Sequence, residues 1–401
     1  MSLNADDFPN HWRIVPIDHV AFFQEGPGVR THQYTKSGVK LLNGSNINGG
    51  SLDLSKTDRY ISEAEAFGKY KHFLVESGDL LIACSGVVVD KFEGKIAYAE
   101  EEHLPLCMNT STMRFRSLNE DVLHLDYFRR FLQTSFFKTQ LQKLITGSAQ
   151  LNFGPSHIKQ MVVPLPPLPE QKRIAAILDK ADAIRRKRQQ AIQLTDDFLR
   201  AVFLDMFGDP VTNPKGWAVR PVGDLCDCIV PGRDKPKSFN GSTPWITTNE
   251  LIHLGVTIKK ENYIGLTVDE ILEVRARVVP KKSVIMTCVG DLGVISVAGE
   301  DMVINQQLHA FLPSEEITPS YLSFSLASQK GYMLKMASST TLPYMNKAVC
   351  NSVPVMLPPK EMQDKFESLV AKVAVFKLKS SDFSYEAAFE SISQNAFSGQ
   401  L

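Results

Sequence analysis

Short runs of polar residues and glycine carry the clearest chemistry in this sequence. The run Asn43–Gly50 holds three asparagines, one serine and three glycines, and Thr247-Thr248-Asn249 follows a strand-like run at the equivalent place in the second half of the chain. Asparagine can bond an adenine edge through two hydrogen bonds, and serine and threonine adapt to several bases. Glycine lets the backbone approach a ligand closely. Both runs therefore predict loops that contact the bases of a nucleic acid.

A second polar run precedes a proline-rich segment in each half, at residues 146–152 and 338–346. Lysines in both halves could bind phosphate groups. Any one of these residues alone would be interpreted as part of a solvated turn, but recurrence in both halves favours a binding role for the set. The candidate DNA-contacting residues are Asn43, Ser45, Asn46, Asn48, Lys91, Thr146, Ser148, Gln150, Asn152, Thr247, Thr248, Asn249, Lys281, Ser339, Thr340, Tyr344 and Asn346.

Motifs for catalysis and metal binding are missing from the sequence. It contains no phosphate-binding loop, dinucleotide-binding glycine motif, zinc-protease motif or nucleophile elbow, and no Asn-Pro-Pro-aromatic tetrapeptide of an adenine methyltransferase. Asp90, Glu93 and Lys95 are the residue types of a metal-dependent nuclease, but they lie too close together and have no counterpart in the second half, so we interpret them as a solvated turn. The histidines lack metal-binding spacing. We therefore predict neither catalytic residues nor a metal site.

Composition favours a cytosolic protein with more than one buried core. Of 401 residues 43% are apolar, and 44 basic residues balance 44 acidic ones. A stand-alone nucleic-acid-binding protein usually has a basic excess, so the neutral balance argues against one. The N-terminus lacks the features of a signal peptide, and no run approaches the roughly 18 apolar residues of a membrane span. The six cysteines form no CxxC pair and are expected to be reduced in a cytoplasmic location.

The two halves of the chain repeat the same order of features. Trp12 and Trp217 begin the halves, and the proline-rich segments Pro164–Pro169 and Pro354–Pro359 each precede a long run of helix-forming residues. Proline donates no ladder hydrogen bond and disfavours helix in the residue before it, so each segment should end a globule and begin a helix. We predict two similar α/β globules at 1–163 and 210–353, each followed by a hinge and long helix, at 164–209 and 354–401.

The two predicted helices have apolar residues at alternating spacings of three and four, which is typical of a coiled coil. Because a globule separates them, the second helix can return antiparallel to the first. At 1.5 Å per residue, each would be a rod of roughly 57 Å. The predicted coiled-coil and partner-binding residues are Ile174, Ile177, Ile184, Phe198, Phe366, Leu369, Val373 and Phe376.

These features together resemble the specificity subunit of type I restriction-modification systems. The resemblance covers essentially the whole chain and rests on Leu165–Ile174, on the tryptophan that begins each half, and on the helix ends Met206–Asp209 and Ala396–Leu401. The sequence departs from the family at the second hinge, where Met362 interrupts the adjacent Glu-Gln pair of the first hinge. We expect this departure to weaken one partner contact and to leave the architecture intact.

The resemblance implies a non-catalytic subunit that recognises DNA. Each globule would read one half of a bipartite, asymmetric sequence in double-stranded DNA, and the helices would set the spacer. Two methyltransferase subunits, which use S-adenosylmethionine to methylate adenine N6, and restriction-translocase subunits, which use ATP and Mg²⁺, would supply the chemistry and much of the phosphate binding. Two alternatives stay open: a coiled-coil scaffold without DNA specificity, and the recognition fragment of a single-chain restriction-methylation enzyme.

Overall fold

The protein, described here by a computed structural model, folds into two compact units. Unit 1 comprises residues 1–187 and 383–401, and unit 2 comprises residues 188–382. The structure describes residues 8–55, 57–145, 152–338, 341–381 and 385–400, without the side chains of residues 90, 376, 378–381 and 385–387. The unit boundary falls within the first long helix, whereas the sequence placed its boundaries at the hinges; the limits 163, 209 and 353 stay a prediction.

The first half of the chain contains eleven strands and five α-helices within its described residues. The strands are β1 (Arg13–Pro16), β2 (Ala21–Glu25), β3 (Val39–Leu42), β4 (Ile47–Asn48), β5 (Ser51–Leu52), β6 (Tyr60–Ile61), β7 (Leu80–Ala83), β8 (Ile96–Tyr98), β9 (Leu106–Met108), β10 (Thr112–Ser117) and β11 (Val162–Leu165). The helices are α1 (Glu63–Phe67), α2 (Leu125–Leu132), α3 (Ser135–Leu144), α4 (Pro155–Ile158) and α5 (Leu168–Phe207).

The second half adds ten strands and six α-helices, counted over the part of the chain that the structure describes. The strands are β12 (Ala218–Pro221), β13 (Cys226–Ile229), β14 (Thr243–Ile246), β15 (Val256–Thr257), β16 (Gly265–Leu266), β17 (Val284–Thr287), β18 (Ile295–Ala298), β19 (Val303–Ile304), β20 (Leu308–Pro313) and β21 (Pro354–Leu357). The helices are α6 (Val268–Glu273), α7 (Pro319–Ser328), α8 (Lys330–Met336), α9 (Lys347–Asn351), α10 (Lys360–Ser381) and α11 (Tyr385–Phe397).

The two units share one sheet topology, which confirms the mixed α/β prediction. The main sheet has the order β2-β10-β7-β8 in unit 1 and β13-β20-β17-β18-β15 in unit 2. A smaller sheet follows in each, β6-β3-β9 and β16-β14-β19, and the strand that begins each unit pairs with the hinge strand, as β1-β11 and β12-β21. The register of the central strands also agrees between the units. Phe115 of β10 pairs with Leu80 of β7, and in unit 2 Phe311 of β20 pairs with Val284 of β17.

The central strands are buried on both faces, which explains their continuous apolar sequences. In β7, Leu80 and Ile82 pack with Phe128 of α2, and Leu81 packs on the other face with Leu42 of the smaller sheet. All four residues of β7 and of β17 are buried. The main sheet is therefore a middle layer between helices and the smaller sheet.

A buried glutamine at the start of each long helix forms hydrogen bonds that connect the hinge to the globule. The Oε1 atom of Gln171 accepts a hydrogen bond from the backbone N–H of His124, and its Nε2 donates to the carbonyls of Val122 and Pro166, all at 2.9 Å. Gln363 forms the equivalent three bonds in unit 2, with Thr318, Glu316 and Pro358, at 3.0, 3.2 and 3.0 Å. Both glutamines lie five residues after the proline whose carbonyl they bind, so Met362 stands where unit 1 has Glu170, and the hinge architecture is intact, as expected.

The second half of α5 packs against α10 in an antiparallel arrangement inside unit 2. Phe203 and Phe207 contact Phe366, with ring centroids 5.5 and 5.7 Å apart, and Asp196, earlier in α5, forms an ion pair with Lys377, later in α10. Leu369 and Val373 pack against the same core, and the side chain of Phe376 lies outside the description.

Helix α11 is the corresponding partner within unit 1. Phe397 packs on Tyr127 and Phe131 of α2, at centroid distances of 5.3 and 6.3 Å, and the ring of Phe389 lies under the guanidinium of Arg185 of α5. The predicted continuous helix at the C-terminus corresponds to α10 and α11, with residues 382–384 outside the described ones.

The buried face of α5 lies about one residue away from the predicted coiled-coil positions in its second half. Leu199, Phe203 and Phe207 are buried there, whereas Phe198 is 51% exposed and Ile184, in the first half, is 48% exposed. In unit 1, Ile174 and Leu178 are buried and Ile177 is half-buried. The difference arises because α5 packs against the core of the globule as well as against a second helix, and this core determines which face of α5 is buried.

Strand β20 of unit 2 carries a buried histidine that should make this unit sensitive to acid. Burial, with a further contribution from Lys347, lowers the pKa of His309 to about 4, and its Nδ1 has no hydrogen-bond partner among the described residues. The unfolded chain takes up this proton near pH 6.5. The free energy of unfolding should therefore fall as the pH drops from 6.5 towards 4, by about 2 kcal/mol at pH 5.

The substitution His309→Met tests this, since Met113 holds the equivalent position in unit 1. Hydrogen exchange of β20 amides at pH 7 and pH 5 should show less acid destabilisation in the variant than in the wild type. Replacing the exposed His32 by methionine is the control. Equal acid sensitivity of wild type and His309→Met would contradict the prediction.

Candidate nucleic-acid interface

In unit 1, four polar segments meet at one end of the main sheet. The loop that begins at Asn43 contacts the segment Asn109–Ser111: the Gly44 N–H donates to Ser111 Oγ at 2.9 Å, and Asn109 Nδ2 donates to Asn43 Oδ1 at 3.0 Å. The N–H of Cys84, directly after β7, donates to the carbonyl of Ser111 at 2.9 Å. These contacts place three polar segments side by side.

The fourth segment is Asn152–Gly154, which joins the turn after β7. Asn152 Oδ1 accepts hydrogen bonds from Ser85 Oγ at 2.7 Å and from the Gly86 N–H at 2.9 Å. Gly86 has a φ of +68°, a conformation that glycine adopts without strain. We call the four segments, Asn43–Gly50, Cys84–Gly86, Asn109–Ser111 and Asn152–Gly154, the polar edge of unit 1.

Unit 2 builds its own polar edge from equivalent segments and the same backbone hydrogen bonds. Asn305 N–H donates to Ile246 O at 3.0 Å, as Asn109 N–H donates to Leu42 O at 3.1 Å. Cys288 N–H donates to Gln307 O at 2.8 Å, and Met345 N–H donates to Cys288 O at 2.9 Å. The polar edge of unit 2 comprises Thr247–Glu250, Cys288–Gly290, Asn305–Gln307 and Pro343–Asn346.

In the first loop of each edge, the backbone N–H of the first residue donates a hydrogen bond to the side chain three residues later. The Asn43 N–H donates to Asn46 Oδ1 at 3.0 Å, and the Thr247 N–H donates to Glu250 Oε2 at 2.7 Å. Asn46 is only 7% exposed, and its Nδ2 donates to Asp53 O and Thr57 Oγ1. Its amide is used inside the loop, so Asn46 shapes the loop and does not reach a ligand, contrary to the sequence interpretation.

Asn48 is also committed to its own loop. Its Nδ2 donates to the carbonyl of Ser45 at 2.5 Å, and its Oδ1 accepts from the ammonium of Lys95 at 2.6 Å. Partial burial lowers the pKa of Lys95. The pair Lys95 and Asn48 therefore stiffens the loop that presents Ser45.

The remaining sequence candidates fall into three groups. Ser45, Lys91, Asn152, Asn249, Lys281, Tyr344 and Asn346 are exposed, and Thr247 and Thr248 are partly exposed. Three of these are engaged locally: Thr247 Oγ1 donates to Glu250, Asn346 Oδ1 accepts from the Val349 N–H and caps α9, and Asn152 Oδ1 accepts from Ser85 and Gly86. Thr146, Ser148, Gln150, Ser339 and Thr340 lie outside the described residues.

Sequence reasoning missed the segments Asn109–Ser111 and Asn305–Gln307. Each follows a short buried strand, and each begins with an asparagine at the same structural position. Gln306 and Gln307 are exposed, and Gln306 Nε2 donates to the carbonyls of Gly232 and Asp234. The recurrence of the asparagine was the available signal, but it needed a residue-level alignment of the two halves.

Two of the nuclease-like residues, Glu93 and Lys95, have partners elsewhere in unit 1, and the side chain of Asp90 lies outside the description. Lys95 bonds Asn48, while Glu93 forms an ion pair with Lys138 at 2.5 Å, and no group of three potential metal ligands occurs among the described residues. All six cysteines are buried, and burial raises the pKa of Cys84 and of Cys288 to about 12. None of the helices described is long and apolar enough to cross a membrane.

Comparison with known proteins places both units in one family. Residues 9–194 and 214–369 match the type I restriction modification DNA specificity domain. The MjaIX specificity subunit of a Methanocaldococcus jannaschii type I restriction enzyme is 22% identical over 90% of this chain and 86% of its own length. The MjaVIII specificity subunit of the same organism is 27% identical, over 47% of this chain and 44% of its own length, so that match spans less than half of the relative.

Solved structures show the same fold. The S subunit of a type I restriction-modification system from M. genitalium aligns over 99% of this chain and 98% of its own, with a TM-score of 0.60 and 15% identity. A chain from a type I restriction-modification complex aligns over 98% of this chain and 99% of its own, with a TM-score of 0.51 and 18% identity. With two specificity domains in tandem on equivalent α/β frameworks, the chain belongs to the type I restriction-modification specificity subunit family.

Proposed function

We propose that the polar edge of each unit reads one half of a bipartite, asymmetric DNA sequence. The observation that carries this proposal is that the two edges share their backbone hydrogen bonds and differ in their exposed side chains. Ser45 of unit 1 corresponds to Asn249 of unit 2, and Asn152 corresponds to Tyr344. A common framework with different side chains suits two readers of different base sequences, since base-edge contacts specify sequence and backbone contacts position the protein.

The hydrogen-bonding groups of both edges match those that base edges require. Exposed asparagine and glutamine amides can donate and accept at once, and hydroxyl groups rotate to either role. The internal bonds of Asn46 and Asn48 in unit 1, and of Glu250 in unit 2, hold the loops before DNA arrives. A loop ordered in advance loses less conformational entropy on binding.

We assign catalysis to partner subunits, because the sequence carries none of the motifs for methyl transfer or ATP hydrolysis. Two methyltransferase subunits that use S-adenosylmethionine would dock on the exposed apolar residues of α5, and restriction-translocase subunits would use ATP and Mg²⁺. The long helices would set the spacer between half-sites. The neutral net charge is consistent with partners that contribute much of the phosphate binding.

The test is a map of adenine methylation in cells that express this chain with the methyltransferase encoded beside it, compared with cells that lack only this chain. We expect a split sequence motif to be methylated in the first cells and not in the second. Identical methylation in both would refute the recognition role and leave the scaffold alternative. A methyltransferase lacking its catalytic aspartate or asparagine is the control for background methylation.

A further inference from the structure

Glu25 introduces a carboxylate into the polar edge of unit 1. It is the last residue of β2 and pairs with Met113. Its Oε2 lies against Gly154, where an added Cβ would be 3.1 Å from that oxygen. The next residue, Gly26, is packed on the backbone of Asn109, which leaves no room for a side chain there. Glu25 therefore sits between two of the four segments of the edge.

The carboxylate of Glu25 has no hydrogen-bond donor within the part of the chain that the structure describes. Partial burial raises the pKa of Glu25. The pKa of the neighbouring Cys84 thiol is raised by burial and, to a smaller extent, by the negative charge of Glu25. By contrast, the buried carboxylate of Asp79, which precedes β7, is paired with Arg114 and Arg116. This partly exposed acceptor is left to water in the unbound protein, and a ligand that supplied a donor would take the place of that water.

We propose that Glu25 is a base-specificity residue of unit 1, which accepts a hydrogen bond from the exocyclic amino group of cytosine or adenine in the major groove. This inference rests on the proposed DNA recognition. Carboxylates accept from cytosine N4 in protein–DNA complexes, and a carboxylate cannot donate to the carbonyl oxygens that guanine and thymine present there. The choice between cytosine and adenine depends on the neighbouring contacts.

The contact belongs to unit 1 alone. Phe23 pairs with Phe115 as Cys228 pairs with Phe311, so Val230 holds the position equivalent to Glu25 in unit 2. A valine offers neither a donor nor an acceptor. The half-site read by unit 2 should therefore be insensitive to changes at Glu25, and this asymmetry makes the proposal testable within one molecule.

The experiment compares the wild-type chain with Glu25→Gln, each assembled with the methyltransferase, by methylation of DNA duplexes in which every half-site position is varied. The glutamine amide keeps the shape and adds a donor. We expect one position of one half-site to lose its preference for the amino-bearing base, with a roughly 10- to 100-fold smaller discrimination, while the other half-site is unchanged. Glu76→Gln is the control, because it removes the same charge from an exposed carboxylate before β7, at the opposite end of that strand.

An unchanged motif with an unchanged rate would overturn the proposal, and so would a lower thermal stability with an unchanged motif, since that outcome indicates a packing role. If Glu25→Gln does not fold, Glu25→Asp is the second test, because it keeps the acceptor on a side chain shorter by one methylene. Reduced discrimination at one position would support the proposal, and full discrimination would overturn it. If the wild-type chain itself directs no split motif, the proposed function fails first, and the inference fails with it.

Discussion

A chain in which Leu194 and Phe198 are both replaced by glutamate is expected to lose its methyltransferase partner while both units stay folded. Leu194 is 61% exposed and Phe198 is 51% exposed, and residues four apart lie on the same face of a helix. The buried residues of this part of α5, Leu199, Phe203 and Phe207, lie on a different face. The pair is thus free of the core of unit 2 and available to a partner.

The size of the effect follows from burying charge in an apolar contact. A carboxylate removed from water without a partner costs several kcal/mol, and a buried phenylalanine in the centre of an interface commonly contributes about 2 kcal/mol. We therefore expect the affinity for the methyltransferase to fall at least on the order of 1,000-fold. Co-purification of the two chains, followed by calorimetric titration, measures this loss.

The matched control is Val211→Glu, which places the same charge on a residue that is 66% exposed beyond the end of α5. It should bind the methyltransferase like the wild type. Retained affinity in the double variant would show that partners dock elsewhere. Ile184, in the unit 1 part of the helix, is the next exposed candidate, whereas Ile177 is half-buried.

The fold was predictable from sequence where a residue type has one strong structural consequence. Prolines before Gln171 and Gln363 stop the sheet and begin the helix in both units, and the apolar run at β7 requires burial on both faces. The seam of α5 was less predictable, because a heptad pattern states which residues are apolar but not which neighbour covers them. Leu199 is buried and Phe198 is exposed because the globule of unit 2 competes with α10 for the helix surface.

The candidate site was predictable as a set of loops, but not as a set of free side chains. Polar residues and glycine predicted a loop at Asn43–Gly50, which contains a 3-10 turn and the short strand β4, yet the same asparagines can bond a ligand or their own backbone. The structure shows the second use for Asn46. Glu25 escaped notice because a single glutamate at the end of a strand is ordinary in sequence, and only the fold brings it beside Gly154.

The two glutamines of the hinges should be among the most sensitive positions for stability. Gln171 is 0% exposed and Gln363 is 1% exposed, and each satisfies one backbone N–H and two carbonyls at the junction of globule and helix. Replacing either by leucine would leave three backbone polar groups, buried or partly buried, without this partner. Each such group costs about 1–3 kcal/mol, and water entry should relieve part of this, so we expect a loss of about 3–5 kcal/mol.

Urea unfolding of Gln363→Leu, together with hydrogen exchange at the start of α7, measures the loss. Gln193→Leu makes the same chemical change at an exposed position of α5, where the side chain donates to Asp197; it should cost a few tenths of a kcal/mol. Because the three bonds recur in both units, Gln171→Leu should destabilise unit 1 as Gln363→Leu destabilises unit 2. If the free energy of unfolding fell by less than 1 kcal/mol in either unit, the glutamine there would not stabilise the hinge, and the proline segment alone would orient the helix.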